Sequence, residues 1–194
     1  MNPTALGALS VVIGAVAYSI YIAQTLRTEV EPHPISWFLW GWVTFVAWLV
    51  QHSEGGRAGS WVTFFTFVVC FLISGVTFRK YEWRIYALDK LVLVVGFIAL
   101  GLYVLARNPT WAAILATTAD VVGYYPTIIK GWNEPHKDSA TSFALNGAKF
   151  LVAVFALGSY SLATWLYPIT ISIVNSGVAV MLLLRRKFVV TAAG

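Results

Sequence analysis

The chain has 194 residues, of which 59% are apolar and 11% charged, and its mean hydropathy is +0.75. Soluble domains carry about 25% charged residues, and a soluble core could not absorb this much apolar surface. The net charge of +5 does not point to nucleic acid, because the thirteen basic residues are scattered between apolar runs and form no patch with interleaved aromatics.

In chain order, seven apolar runs cover about 3–26, 35–51, 58–78, 84–106, 109–131, 139–158 and 161–185. Each has the roughly 17 to 25 residues needed to cross about 30 Å of hydrocarbon. The expectation is an all-α polytopic membrane protein of seven transmembrane helices. The first run has no basic leader and no small-residue cleavage site, so it reads as a span and not as a signal peptide. Polar segments such as Glu31-Pro32-His33-Pro34 and Gln51 to Gly59 separate the runs. Cys70, the single cysteine, lies inside the third run, which excludes an intrachain disulfide and suggests no thiolate metal site. His33 and His136 sit in matching loops without ligand spacing, so they read as loop-capping residues and no metal is expected.

The connections give an orientation. Arg27, Arg79, Lys80, Arg84, Lys130, Lys137, Arg185, Arg186 and Lys187 fall on one side, against Arg57 and Arg107 on the other. The positive-inside rule then places the N-terminus outside and the C-terminus in the cytoplasm. Compact loops without targeting signals fit a prokaryotic inner membrane. Trp37, Trp61, Trp83, Trp111, Trp132 and Trp165 fall at span ends and read as an interfacial belt. Trp40, Trp42 and Trp48 lie deeper.

The chain also repeats itself. Glu31-Pro32-His33 recurs as Glu134-Pro135-His136, Tyr21 aligns with Tyr124, and Ala23-Gln24 aligns with Pro126-Thr127. Ser36-Trp37-Phe38-Leu39-Trp40-Gly41 aligns with Ser142-Phe143-Ala144-Leu145-Asn146-Gly147, and Ser74-Gly75-Val76 with Ser176-Gly177-Val178. Units four spans apart point the same way, so the reading is a 3+1+3 design. A first triple-helix bundle covers 1–80, a linker helix 81–108 and a second bundle 109–187, followed by a tail over 188–194. Parallel repeats of this kind are a transporter design with the site at the repeat interface.

With Gly123-Tyr124-Tyr125-Pro126-Thr127 before a short polar loop, the arrangement resembles the PQ-loop superfamily, which includes SWEET sugar transporters and cystinosin-like exporters. The motif is degenerate: Ala23-Gln24 and Pro126-Thr127 each keep half of Pro-Gln. The resemblance implies two bundles rocking around a central cavity by alternating access. It makes Pro126, Thr127 and Gln24 hinge positions and gives Asn175 the place of a solute-binding asparagine.

The residues themselves add more. Asp120 and Lys149 are ionisable groups in mid-span at similar depth, which reads either as a proton-coupling pair on the solute path or as a fixed ion pair between spans five and six. Asn146 and Asn175 are costly to bury unpaired, and Asn146 aligns with Trp40. An amide facing a flat aromatic suits a sugar, an amino acid or a vitamin-like heterocycle. The other reading of both asparagines is interhelical glue. Tyr21 and Tyr124 are candidates for an inner gate. Asp89 and Lys90 lie near the end of span four, where snorkelling is cheap.

The expected function is transport of a small polar solute, with a proton as partner where transport is coupled. The lipid bilayer is the other expected partner, no cofactor is expected, and a homo-oligomer stays among the options. A non-transporting receptor or sensor on the same fold is the alternative. No lysine stands in mid-span seven to hold retinal, and no paired carboxylates, zinc motif or nucleophile with a base suggests an enzyme.

Overall fold

The computed structural model describes residues 2–32, 34–80 and 84–192, and among these the chain is all helix with no strand. The α-helices are α1 (Pro3–Leu26), α2 (Pro34–Gln51), α3 (Trp61–Phe78), α4 (Ala87–Val104), α5 (Pro109–Gly123), α6 (Tyr125–Asn133), α7 (Ala140–Val154) and α8 (Leu162–Ala192). Five segments are long and apolar enough to cross a membrane, namely Pro3–Leu26, Pro34–Phe78, Ala87–Val104, Pro109–Asn133 and Leu162–Phe188, and α7 is a shorter apolar helix. Large apolar side chains such as Val12, Leu72, Phe97, Leu105 and Ile173 point outward, as they do where hydrocarbon is the solvent.

Pro34–Phe78 is not one rod. The backbone leaves helical geometry at Glu54 and at Gly55 (φ +88°), and α2 packs along α3. Gly55 supplies the left-handed turn that a side chain would strain. Helices α1 and α5 begin alike: Asn2 accepts the Thr4 N–H at 2.9 Å ahead of Pro3, and Asn108 accepts the Trp111 N–H at 3.2 Å ahead of Pro109. In both, an N-cap amide and a proline at the first position meet the helix start where no intrahelical donor is lost.

The packing follows a pattern. Helix α1 packs on α3 and α7, and α5 packs on α8 and α2. Helix α2 lies along α3 as α7 lies along α8, while α4 rests on α5 and α2. At the end where α1, α3 and α8 begin, the helices close tightly. A Cβ on Gly7 would meet the Ala58 carbonyl at 2.6 Å, and one on Gly59 would meet the Ala153 carbonyl and the Leu157 N at 2.8 Å. Beside them the fully buried Gln51 donates to the Thr164 carbonyl at 2.9 Å and accepts from Thr63 Oγ1 at 2.7 Å.

The opposite end carries the basic residues. Lys80 Nζ donates to the carbonyls of Thr25 and Leu26 at 2.7 and 2.9 Å, where α1 ends. Arg185 Nε donates to the Trp132 carbonyl at 3.0 Å with its guanidinium over the Trp132 ring, where α6 ends. Cations at helix C-termini satisfy the orphan carbonyls and the macrodipole together.

Several sequence expectations change. Span five breaks at Tyr124, so 109–131 is two helices. Trp37 is buried among Tyr18, Tyr21 and Trp40 and does not belong to an interfacial belt, whereas Trp61, Trp111 and Trp132 are exposed. Asp89 does not snorkel. It is buried, and its carboxylate accepts the Tyr86 N–H at 2.8 Å to cap α4. The tail expected over 188–194 is helical through Ala192. Trp83 and His33 lie outside the described residues.

Gly59 offers a direct check on the closed end. Gly59→Val places its side chain against backbone atoms that cannot yield, and it is expected to destabilise the fold by about 1–3 kcal/mol. Thermal unfolding in detergent reads this as a lowered Tm.

Candidate functional site

Two spaces lie between the helices, one behind the other. The outer one is a chamber of about 580 Å³ at the basic end, bordered by Tyr21, Glu31, Asp89, Pro126, Thr127 and Lys130, with Tyr86 and Tyr125 exposed at its rim. The inner one is a buried pocket of about 30 Å³, room for a water or two, with Tyr18, Thr44, Asp120, Tyr124, Asn146 and Asn175 in its wall. Trp37, Trp40 and Phe143 line both spaces. They are the partition between chamber and pocket. Trp37 and Trp40 meet edge-on at 5.3 Å, and Trp40 leans on the Tyr124 ring at 4.8 Å.

The break in span five puts Tyr124 where it is. Pro126 has no N–H to return to α5, and its ring favours a new helix start, so α5 stops at Gly123 and α6 begins at Tyr125. The Tyr124 hydroxyl accepts from Asn175 Nδ2 at 2.8 Å, and the other Nδ2 proton goes to the Ile171 carbonyl at 2.8 Å. Asn175 therefore ties α8 to the break. Gly123 lets Trp40 approach, since a Cβ there would meet Trp40 Nε1 at 2.9 Å.

Asp120 and Lys149 do not form an ion pair. Tyr167 donates its single hydroxyl proton to Asp120 Oδ2 at 2.7 Å, so Thr44, at 2.8 Å from the Tyr167 oxygen, donates to that oxygen. The direct Thr44 contact to Oδ2 is longer, at 3.5 Å. Lys149 is fully buried and donates at 2.9 Å to both the Tyr18 hydroxyl and Thr66 Oγ1, with its ammonium over the Tyr18 ring. The physical reason is packing: Asp120 on α5 faces α2 and α8, whereas Lys149 on α7 faces α1 and α3. Equal depth did not mean neighbouring helices.

Asn146 stands apart. It is 8% exposed, its Oδ1 is buried, and it makes no hydrogen bond. Trp40 Nε1 is likewise buried without a partner. An amide that bonds to nothing is not glue between helices. Of the other expected positions, Tyr21, Pro126 and Thr127 border the chamber, Tyr124 borders the inner pocket, and Gln24 reaches neither wall. Tyr21 and Tyr124 thus stand at different levels. Thr44, Tyr167, Tyr18 and Thr66 were missed in the sequence because hydroxyls inside apolar runs look like tolerated polar residues. Tyr18 alone had a signal, since Asn2-Pro3-Thr4 recurs as Asn108-Pro109-Thr110 at the offset that pairs Tyr18, in place of Tyr21, with Tyr124.

In the chamber wall, burial pushes the Asp138 carboxyl up to about 6, against the opposing pull of the Ser139 N–H and the charges of Lys130 and Arg186. No family model matches this chain, and no curated protein or solved structure matches it.

Two checks follow from these surroundings. Replacing Asn175 with Leu strands the buried Tyr124 hydroxyl and is expected to cost about 1–3 kcal/mol, whereas Asn146→Leu removes an amide without partners and is expected to leave Tm level or raise it; differential scanning fluorimetry of both variants reads the contrast. Asp138 binds its proton more tightly folded than unfolded, so its penalty is absent below about pH 4 and complete above about pH 6. Stability is expected to fall across that window, and Asp138→Asn is expected to flatten that part of the profile and raise Tm at pH 7.5.

Proposed function

We propose that the chain is a seven-span carrier of a small polar solute, with two parallel triple-helix bundles joined by α4, working by alternating access. The observation that carries this reading is a buried pocket with an unpartnered amide and indole N–H, separated by an aromatic partition from a chamber at the basic end. Partnerless buried polar groups cost free energy unless a ligand meets them. The other end is held shut by the Gly7 and Gly59 contacts and by Gln51, so the conformation is that of a carrier open to one side.

The bundle reading draws support from the packing. Under the equivalence of α1 with α5, α2 with α7 and α3 with α8, the contact α1 to α3 maps onto α5 to α8, and α1 to α7 maps onto α5 to α2. The shared Asn-Pro-Thr starts and the Lys80 and Arg185 clamps repeat in the same order. The PQ-loop resemblance gives the same division, with Pro126 at the hinge and Asn175 in the site. With the basic end in the cytoplasm, the chamber opens inward, and a prokaryotic inner membrane is the proposed location. No catalytic role is proposed for any residue.

The test is flux. Purified protein in proteoliposomes is expected to exchange a radiolabelled solute from a panel of sugars, amino acids, amines and vitamins. Asn146→Leu, folded by its Tm, is expected to lower that exchange at least tenfold. Binding of a panel member with no exchange would replace the carrier by a sensor on the same fold.

A further inference from the structure

The inner pocket has a charge preference that the carrier reading alone does not give. Asp120 Oδ2 takes the Tyr167 proton, and Oδ1 has no partner. Asn146, whose Oδ1 is buried and unbonded, stands in the wall of the same small space. A cavity of about 30 Å³ keeps its lining atoms within contact of a single small group. Aromatic rings supply the remaining wall, with Trp37, Trp40 and Tyr124 in mutual contact. A carboxylate and aromatic faces around one group are complementary to a protonated nitrogen, which the acid accepts from and the ring quadrupoles attract.

The approach has the same sign. The protein is basic as a whole, yet the chamber wall holds the carboxylates Glu31, Asp89 and Asp138 against one ammonium, Lys130. Lys130 donates to the Glu31 carbonyl, and Glu31 also meets Lys137 at 3.5 Å. Lys149, the one buried basic side chain among the described residues, is outside the pocket wall, committed to Tyr18 and Thr66. The acids outnumber the base in the chamber wall, with Lys137 on Glu31 and Arg186 beside Asp138 at its margin.

We propose that the solute is an organic amine, whose ammonium enters the inner pocket against Asp120, beside Asn146, while its body stays in the chamber behind the Trp37–Trp40–Phe143 partition. This rests on the carrier reading for its location, but binding tests it without flux. The probes are phenethylamine and 2-phenylethanol, which share a ring and chain and differ in the charged nitrogen, with glucose as a neutral polyol. In isothermal titration of the detergent-purified protein at pH 7, phenethylamine is expected to bind at least tenfold more tightly than 2-phenylethanol, the scale of one buried hydrogen bond to a charged group.

Asp120→Asn is expected to erase that preference, and Asn146→Leu to reduce it in a protein whose Tm shows it folded. If Asp120→Asn does not fold, the amine-to-alcohol ratio on the unaltered protein decides alone. Equal binding of the two probes, binding of glucose but not of the amine, or no binding of the amine would each overturn the proposal. Flux of glucose without amine binding would leave the carrier standing and remove the amine. Amine binding without flux of any solute would do the reverse.

Discussion

Everything in this molecule is constrained by the absence of water around its helices. A polar group inside a bundle that faces hydrocarbon must find its partner within the protein, because no solvent waits nearby to take its place. The buried interior obeys this at many positions, with Gln24 Oε1, Trp42 Nε1 and Thr117 Oγ1 unpartnered away from the inner pocket. Asp120 is held by Tyr167 and Thr44, Lys149 by Tyr18 and Thr66, Gln51 by Thr63 and Thr164, and Asn175 by Tyr124 and Ile171. These bonds cross between helices and fix which helix faces which. Against that background the free amide of Asn146 and the free indole of Trp40 are exceptions with a location, since both stand on the inner pocket.

The hydroxyl cradles explain how two opposite charges are buried in one bundle without touching. Neutral groups meet each charge, Tyr167 backed by Thr44 at Asp120 and Tyr18 with Thr66 at Lys149, so neither group depends on the other for its place. A direct pair would have locked α5 to α7 and filled the space between the helices. Separate cradles leave that space lined by Asp120 on one side while Lys149 is withdrawn behind Tyr18. Charge distribution and cavity are therefore one design.

Much of this was legible in the sequence. Length and apolarity gave the helices because hydrocarbon thickness sets a minimum run, and Pro126 marked a place where a helix could not continue. What the sequence concealed was adjacency. Asp120 and Lys149 share a depth, which hydropathy reports, but lie on helices that do not pack together, which it does not. Trp37 sits one turn from Trp40 at a span end, where a belt residue and a cavity wall carry the same amino acid. The hydroxyls of Thr44, Thr66 and Tyr167 could not be ranked above the many other Thr and Tyr residues until their partners were placed.

The two halves also explain why the chemistry is unequal. The offset that carries Asn2-Pro3-Thr4 onto Asn108-Pro109-Thr110 also sets Gly14 opposite Asp120 and Val43 opposite Lys149. At Gly14 the missing side chain is used: a Cβ there would meet Lys149 Cδ at 3.1 Å and Phe65 at 3.4 Å. The first half thus gives up a side chain to let the lysine of the second lie flat. At the related contact α2 presents fully buried Val43 to α5, next to Thr44, which reaches the Asp120 cradle. Keeping one acid and one base on different helices and across different contacts leaves the polar centre one-sided where it meets the pocket, with Asp120 in its wall and Lys149 outside it.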